Sequence, residues 1–582
     1  VKKGGIACAA AIATALAAVF LLFMSRDQEP VGVTASISGS AHPTSDPSGQ
    51  NGLTAPAAEQ SSEEAAPFVY ISPATAVKEM TPGWNLGNTL DATPTEGAWG
   101  NRAAERTFDD IIAAGFRSVR IPVTWDSHIG PAPDYVIDEG WMNRVEQVVD
   151  WALERDLYVM LNSHHDSWLW MNLDKQDDPE ESLRKFERVW LQIAERFKYK
   201  SAKLMLEILN EPTDMPPEQM NEIDELIVKA IRSTGGYNDK RLVVVAGLWN
   251  DSEQALEHFI APDDEHIILT VHYYSPWDFL NNWWGRSVWG SDEDKREVDD
   301  LFGRLHEQFI ASGLPVIIGE YGSTMRVDGR SKYVYYDYIA SAAHRYGMAM
   351  LLWDNGENLN RATGDWRDRV SKDIVVQSGN GAVNSFLDPT DLYVKADSSS
   401  KEAVIDLELN GNELQGIWNG DEELRRDEDY TVSAEGKQVI IRHEVMASLR
   451  QEGVLGQYAA LRFAFSKGAD QLLQLIQYDK PGTDLAVISL ESIGGNTYDQ
   501  RLHISFNGTK PQAVQAVNEH TGQYVTDAGR QYLRMYDHFD YDSTTLILKK
   551  DFLNMIESDT DLTVKLWPEG ESLKLKIKVP EQ

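Results

Sequence analysis

Two glutamates stand where apolar runs give out: Glu211 near the end of "LMLEILNEP" and Glu320 near the end of "PVIIGEYG". A charge at the edge of a dry run needs a partner or a task. Two carboxyl groups facing each other across a cleft can cleave a glycosidic bond. One protonates the departing oxygen while the other attacks the anomeric carbon, and a separation of about 5 to 5.5 Å gives retention of configuration. Other chemistries lack their residues, since the chain has no His/Asp/Cys cluster at metal-ligand spacing, no phosphate loop and no GxSxG elbow. Neither metal nor cofactor is expected. The same run holds Glu207, four residues before Glu211, which would lie about 13 Å deeper at 3.3 Å per residue of extended strand. At that depth it should be structural, remote from any substrate and paired with a buried cation, for which Arg117 and Arg120 are the candidates.

The elements that position these residues are legible as an alternation. From about residue 68, short β-rich runs alternate with longer stretches of helical apolar spacing, the pattern of a parallel sheet wrapped by helices. The runs are "GWNLGN", "SVRIPVTW", "YVMLNSHH", "LMLEILNE", "LVVVAGLWN", "HIILTVHYY", "PVIIGEYG" and "MAMLLWDNG". Eight strands in this rhythm predict an α/β fold, a (β/α)8 TIM barrel, over a doubly wound sheet that would carry a Gly-rich turn. Thr107 with Asp110 reads as a helix start, Gly115 as a helix stop, and Val145, Val148, Val149 and Ala152 as one buried stripe. Strand tips of a barrel converge on one mouth. Here they bring Asn88, Trp125, His164, Asn210, Glu211, Trp249, His272, Tyr274, Glu320 and Trp353.

Six ordered motifs, "RIPVTW", "LNSHHD", "EILNEP", "VHYYSP", "IIGEYG" and "LLWDNG", together resemble glycoside hydrolase family 5, of the clan with glutamates on strands four and seven, and most closely its bacterial endoglucanase and xyloglucanase branch. The resemblance implies a retaining endo-β-1,4-glucanase with Glu211 as acid/base and Glu320 as nucleophile. It further implies that Asn210 binds the sugar 2-hydroxyl, that Arg120 and Tyr274 hydrogen-bond the nucleophile, that His164 (preferred to His165 by its place in the motif) and His272 position substrate and acid/base, and that Trp353 floors the reacting sugar. Asn85 is counted among the substrate-binding residues. A β-mannanase of the same clan and a non-catalytic polysaccharide-binding protein are the alternatives.

The net charge of -37 argues against nucleic acid, and the expected partner is plant cell-wall β-glucan (cellulose-type, xyloglucan or mixed-linkage), met by a monomer. Residues 1–35, with Lys2, Lys3, the single cysteine Cys8 and an apolar stretch to Met24, read as a secretory signal or, uncleaved, a membrane anchor. Export to the extracellular space follows either way. Residues 36–67 read as a disordered linker and 68–386 as the catalytic barrel. Of 17 tryptophans, 15 precede residue 387. Trp99, Trp168, Trp170, Trp277, Trp283, Trp284 and Trp289 follow strand tips, where indoles can stack on sugar rings, about half of them being expected as loop anchors. Period-two strands over 391–481 resemble an X2 or immunoglobulin-like β-sandwich, read as a spacer. Residues 482–582 form a second all-β module resembling carbohydrate-binding module family 46, expected to sit rigidly and complete the cleft.

Overall fold

The computed structural model describes residues 68–580 except 325, 527 and 528; the expected leader and linker lie outside the described residues. β1 (Gly83–Asn85), β2 (Ser118–Ile121), β3 (Tyr158–Asn162), β4 (Leu204–Glu207), β5 (Val243–Asp251), β6 (Ile267–Tyr273), β7 (Val316–Tyr321) and β8 (Ala349–Leu352) close in chain order into a parallel barrel. Helices cover the outside, so these strands are buried on both faces and read as continuous apolar runs. Met160, Met205, Val244, Ile268, Ile317 and Leu351 fill the interior, closed below by Ala76, Val77 and Met80 from the helix Pro73–Glu79 and its end. A larger cluster joins strands to helices, including Val145, Val148, Val149 and Ala152 on the helix Glu139–Leu153.

Gly115 ends its helix in the left-handed conformation (φ 104°), as expected. The start differs. That helix runs Glu105–Ala114 with Ala104 as N-cap and no side-chain cap, and Thr107 is a buried interior residue. Burying Thr107 against the barrel outweighs its capping preference.

Beyond the barrel, four strands (Phe386–Asp388, Ala403–Glu408, Gln438–Ile441, Tyr430–Val432) and five (Asp391–Lys395, Gln471–Tyr478, Gly456–Phe465, Leu414–Asn419, Glu422–Glu423) form two sheets. They share one core, with side chains alternating strictly along Ala403–Glu408. Phe386 packs into the barrel cluster and Leu387 into this sandwich core, so one strand is common to both. A further four-stranded and three-stranded sheet, from Val487–Ser489 to Glu571–Lys578, enclose a separate core. Among the described residues no helix is long and apolar enough to cross a membrane.

Candidate active site

Arg120, pointing inward from β2, organises the barrel mouth. Its five N–H donors are all used: Nε to Glu207 at 2.7 Å, Nη1 to Glu320 at 2.6 Å and Asn85 at 3.1 Å, and Nη2 to Glu207 at 3.2 Å and Asn210 at 2.7 Å. The guanidinium is fully buried, and the two carboxylates hold its pKa above normal against the cost of burial. Arg117, the other candidate partner of Glu207, is exposed. Glu207 therefore differs from expectation in one respect. β4 ends at Glu207 and the chain turns before Glu211, whose φ is 40°, so extended spacing does not separate them. Through Arg120, Glu207 belongs to the same charge network as Glu320.

Asn85 also departs from its expected role. Its amide nitrogen lies 3.0 to 3.4 Å from the carbonyls of Gly319, Leu351 and Leu352, while its oxygen serves Arg120. With both ends engaged and no exposed surface, it braces the arginine instead of meeting a sugar.

Glu320 receives the Tyr274 hydroxyl at 3.1 Å as well as Arg120. Burial pushes its pKa up, His272 and Arg120 pull it down, and Glu211 raises it again. Glu211 makes its side-chain contact with His272, Nδ1 to Oε1 at 2.9 Å. Burial pushes Glu211 up to about 7, opposed by Arg120 and His165 and reinforced by Glu207. The paired carboxyl thus holds its proton to near neutrality. His272, on the strand register opposite Glu320, is pushed down to about 4, chiefly by burial, and is neutral at pH 7.

His164 is neutral too, lowered by burial and by His165, Arg120 and His272. Asn162 fixes its tautomer: the asparagine oxygen accepts from Val123 N–H and its nitrogen donates to Glu207 and to His164 Nδ1 at 3.1 Å. The proton of His164 must then sit on Nε2. Its ring stacks on Trp353, centroids 5.8 Å apart and planes 5° from parallel. His165 instead lies beside Asp91, Trp99 and Trp168. Gly87 lets Trp353 come close, since a Cβ there would stand 2.7 Å from the indole.

Among the described residues, folding assembles two groups of potential metal ligands that spacing did not reveal: Asp91, His164 and His165, and Glu211, His272 and Glu320, the ligand atoms of each group within 4.8 Å of one another. In the first, Asp91 already accepts the Asn88 and Thr89 N–H groups. In the second, the guanidinium bonded to Glu320 opposes a further cation.

Of the seven loop tryptophans, Trp170, Trp283 and Trp289 are buried anchors, while Trp99, Trp168, Trp277 and Trp284 are half-buried. The last module is built onto this rim. Trp283 Nε1 donates to Met535 O at 3.2 Å, Trp284 N–H to Leu533 O at 3.2 Å, and Arg326 to Tyr541 O at 2.8 Å. Arg534 lies 4.6 Å over Trp283, and Tyr536 meets Thr324, four residues after Glu320. The last module's own aromatics, the residues that could form a sugar platform there, are divided: Tyr541, Phe539 and His538 are buried and Tyr536 faces the barrel, Tyr532 and Trp567 are half-buried, and Tyr498 and Tyr524 are exposed. Sequence reasoning also missed Asn250 at the tip of β5, which accepts the Glu211 backbone N–H. Its only trace was an apolar run ending in asparagine.

Residues 82–359 match the sequence model of the cellulases of glycosyl hydrolase family 5, and 388–475 match carbohydrate binding domain X2. Endoglucanase B of Paenibacillus lautus is 32% identical over 86% of this chain and 91% of its own length. A tri-modular family 5 (subfamily 4) endo-β-1,4-glucanase from Bacillus licheniformis, solved with cellotetraose, superposes with a TM-score of 0.84 at 46% identity, covering 88% of this chain and all of that one. The full-length tri-modular endo-β-1,4-glucanase B of Bacillus halodurans gives 0.77 at 30% identity, covering 87% and 97%. Similarity over 86% of this chain and 91% of the Paenibacillus enzyme, across a barrel whose strand-four and strand-seven glutamates meet at one mouth, places the chain in glycosyl hydrolase family 5, as one of its endoglucanases.

Proposed function

We propose that the protein is a retaining endo-β-1,4-glucanase that cuts internal bonds of cellulose-type glucans, with Glu211 as acid/base and Glu320 as nucleophile. One observation carries this reading: an oxygen of the Glu211 carboxyl lies within 4.8 Å of an oxygen of the Glu320 carboxyl, the close approach that suits direct attack by one of them, whereas inversion keeps its carboxyl groups roughly 6.5 to 9.5 Å apart to admit a water. Glu320 attacks the anomeric carbon as Glu211 delivers its proton to the leaving oxygen. Glu211 then takes a proton from the water that releases the glycosyl ester. Arg120 and Tyr274 hold the Glu320 oxygens in line and favour the ionised form that attacks. Asn210, its oxygen held by Arg120, has its amide hydrogens left for the sugar 2-hydroxyl. Trp353, backed by His164, floors the reacting ring.

The substrate range rests on the rim. Half-buried Trp99, Trp168, Trp277 and Trp284 offer several stacking surfaces, and the last module, attached to the loops after β6 and β7, extends one wall of the cleft. Such a cleft suits long or branched chains, so xyloglucan and mixed-linkage β-glucan join cellulose as substrates, and the last module acts in place as a carbohydrate-binding wall of the family 46 kind. Secretion rests on the leader-like composition of residues 1–35.

A panel of carboxymethylcellulose, xyloglucan, mixed-linkage glucan and mannan, with product sizing and anomer detection on the full chain, tests this. Interior cleavage with the β-anomer released first is expected; α-anomer release would overturn the mechanism. Glu211→Gln and Glu320→Gln should each lose nearly all turnover with the fold intact. Near-normal turnover in either would sink the assignment.

A further inference from the structure

The geometry points to Asn250 as a positioning residue that sets where the Glu211 carboxyl stands. This rests on reading Glu211 as the acid/base.

Glu211 leaves β4 at φ 40°, in the left-handed region that a side chain with a Cβ rarely adopts. Such a conformation persists only where neighbours over-determine it. Opposite, β5 ends in two more left-handed residues, Trp249 at φ 60° and Asn250 at φ 50°. Two bonds tie these turns together: Glu211 N–H donates to Asn250 Oδ1 at 2.6 Å, and Trp249 N–H to Pro212 O at 2.8 Å. Asparagine tolerates left-handed backbone through local bonds of its own, but this side chain serves another strand.

Its aim does not come from the ladder. The β5 to β6 register slips between Ala246 and Asp251, and such irregularities re-aim side chains beside active sites. Asn250 is 1% exposed, and with its oxygen facing Glu211 its nitrogen faces the Thr270 carbonyl at 3.5 Å. Thr270 precedes His272 by two residues on β6, and His272 holds the Glu211 side chain at 2.9 Å. Asn250 therefore links the backbone of Glu211 to the strand that holds its carboxyl. Without that acceptor the turn relaxes and the carboxyl moves relative to His272 and the leaving oxygen. A displacement of about 1 Å in such a geometry costs on the order of 100-fold in rate.

The test uses two substrates on the full chain: cellotetraose, whose leaving group needs a proton, and 2,4-dinitrophenyl β-cellobioside, whose leaving group departs without one. Asn250→Ala should lower kcat on cellotetraose by at least about tenfold with KM little changed, and alter kcat/KM on the dinitrophenyl substrate by less than about threefold. Asn250→Asp keeps the acceptor and should restore turnover on cellotetraose at its optimum pH. Its added carboxylate should move the basic limb of the pH profile upward, the other groups facing Glu211 (Arg120, His165, Glu207, His272, Glu320 and Tyr274) being unchanged. Equal losses on both substrates, or none on either, would overturn the proposal. If Asn250→Ala does not fold, the Asn250→Asp limb decides, and an unmoved limb refutes it. Glu211→Gln on the same pair separates the two ideas: a leaving-group split there without one in Asn250→Ala fails Asn250 alone, whereas no split in Glu211→Gln fails the acid/base reading itself.

Discussion

Replacing Glu207 should reach both stability and chemistry, because its partner is shared. Arg120 and Glu207 are wholly buried and joined at 2.7 and 3.2 Å, and the same guanidinium bonds Glu320 at 2.6 Å. Breaking a buried pair by removing one member costs about 3 to 5 kcal/mol, since the remaining charge is left uncompensated. Glu207→Gln keeps an acceptor and belongs at the lower end; Glu207→Leu belongs at the upper. With a urea dependence of about 3 kcal/mol per molar, the midpoint of the barrel transition should fall by about 1 M for glutamine and about 1.7 M for leucine. The sign of the kinetic effect follows from charge. Glu207 helps hold the Glu211 proton while Arg120 opposes it, so its removal lowers the Glu211 pKa and shifts the basic limb of kcat/KM to lower pH. Urea melts followed by tryptophan fluorescence, with pH profiles on cellotetraose, measure both. A glutamine variant with an unmoved midpoint and an unmoved basic limb would refute the shared network; a lower midpoint with an unmoved limb would return Glu207 to a purely structural role.

Three further outcomes are expected. Tyr274→Phe removes one donor to the Glu320 carboxylate; it should cost about tenfold in kcat/KM and, by raising the Glu320 pKa, move the acidic limb to higher pH, and an unmoved limb would count against this contact. Burial holds the Asp224 carboxyl well above its ordinary range, so its stabilising contribution is full below the unfolded pKa of about 3.9 and is lost as pH rises through the folded value. Asp224→Asn should therefore leave the melting temperature unchanged at about pH 3.5 and raise it at pH 7, and equal values at pH 7 would contradict this. Trp283→Ala empties a buried contact with Met535 and Arg534; scattering should report a loosened last module and xyloglucan turnover should fall more than carboxymethylcellulose turnover, whereas an unchanged scattering profile would argue against Trp283 as the anchor.

What the sequence determined by itself was whatever repeats or alternates along the chain. Eight apolar runs separated by helical stripes place eight strands, because strands buried on both faces must be apolar throughout, and the polar residues at their ends therefore mark the mouth. Period-two spacing likewise gives the sandwich after residue 400, where one face of each strand is wet. Tertiary structure decided everything that depends on which strand faces which. Arg120, not Arg117, became the partner of Glu207 because strand pairing turns it inward. Thr107 was buried despite its capping preference, and Trp170, Trp283 and Trp289 became anchors although nothing local distinguishes them from half-buried Trp99 and Trp284. Asn85 was claimed by Arg120 and three carbonyls, and Asn250 was aimed at Glu211 by a slip in register. Residue type and spacing fix which groups can reach a barrel mouth; only the closed ring, by crowding distant strands around one guanidinium, settles which of them touch.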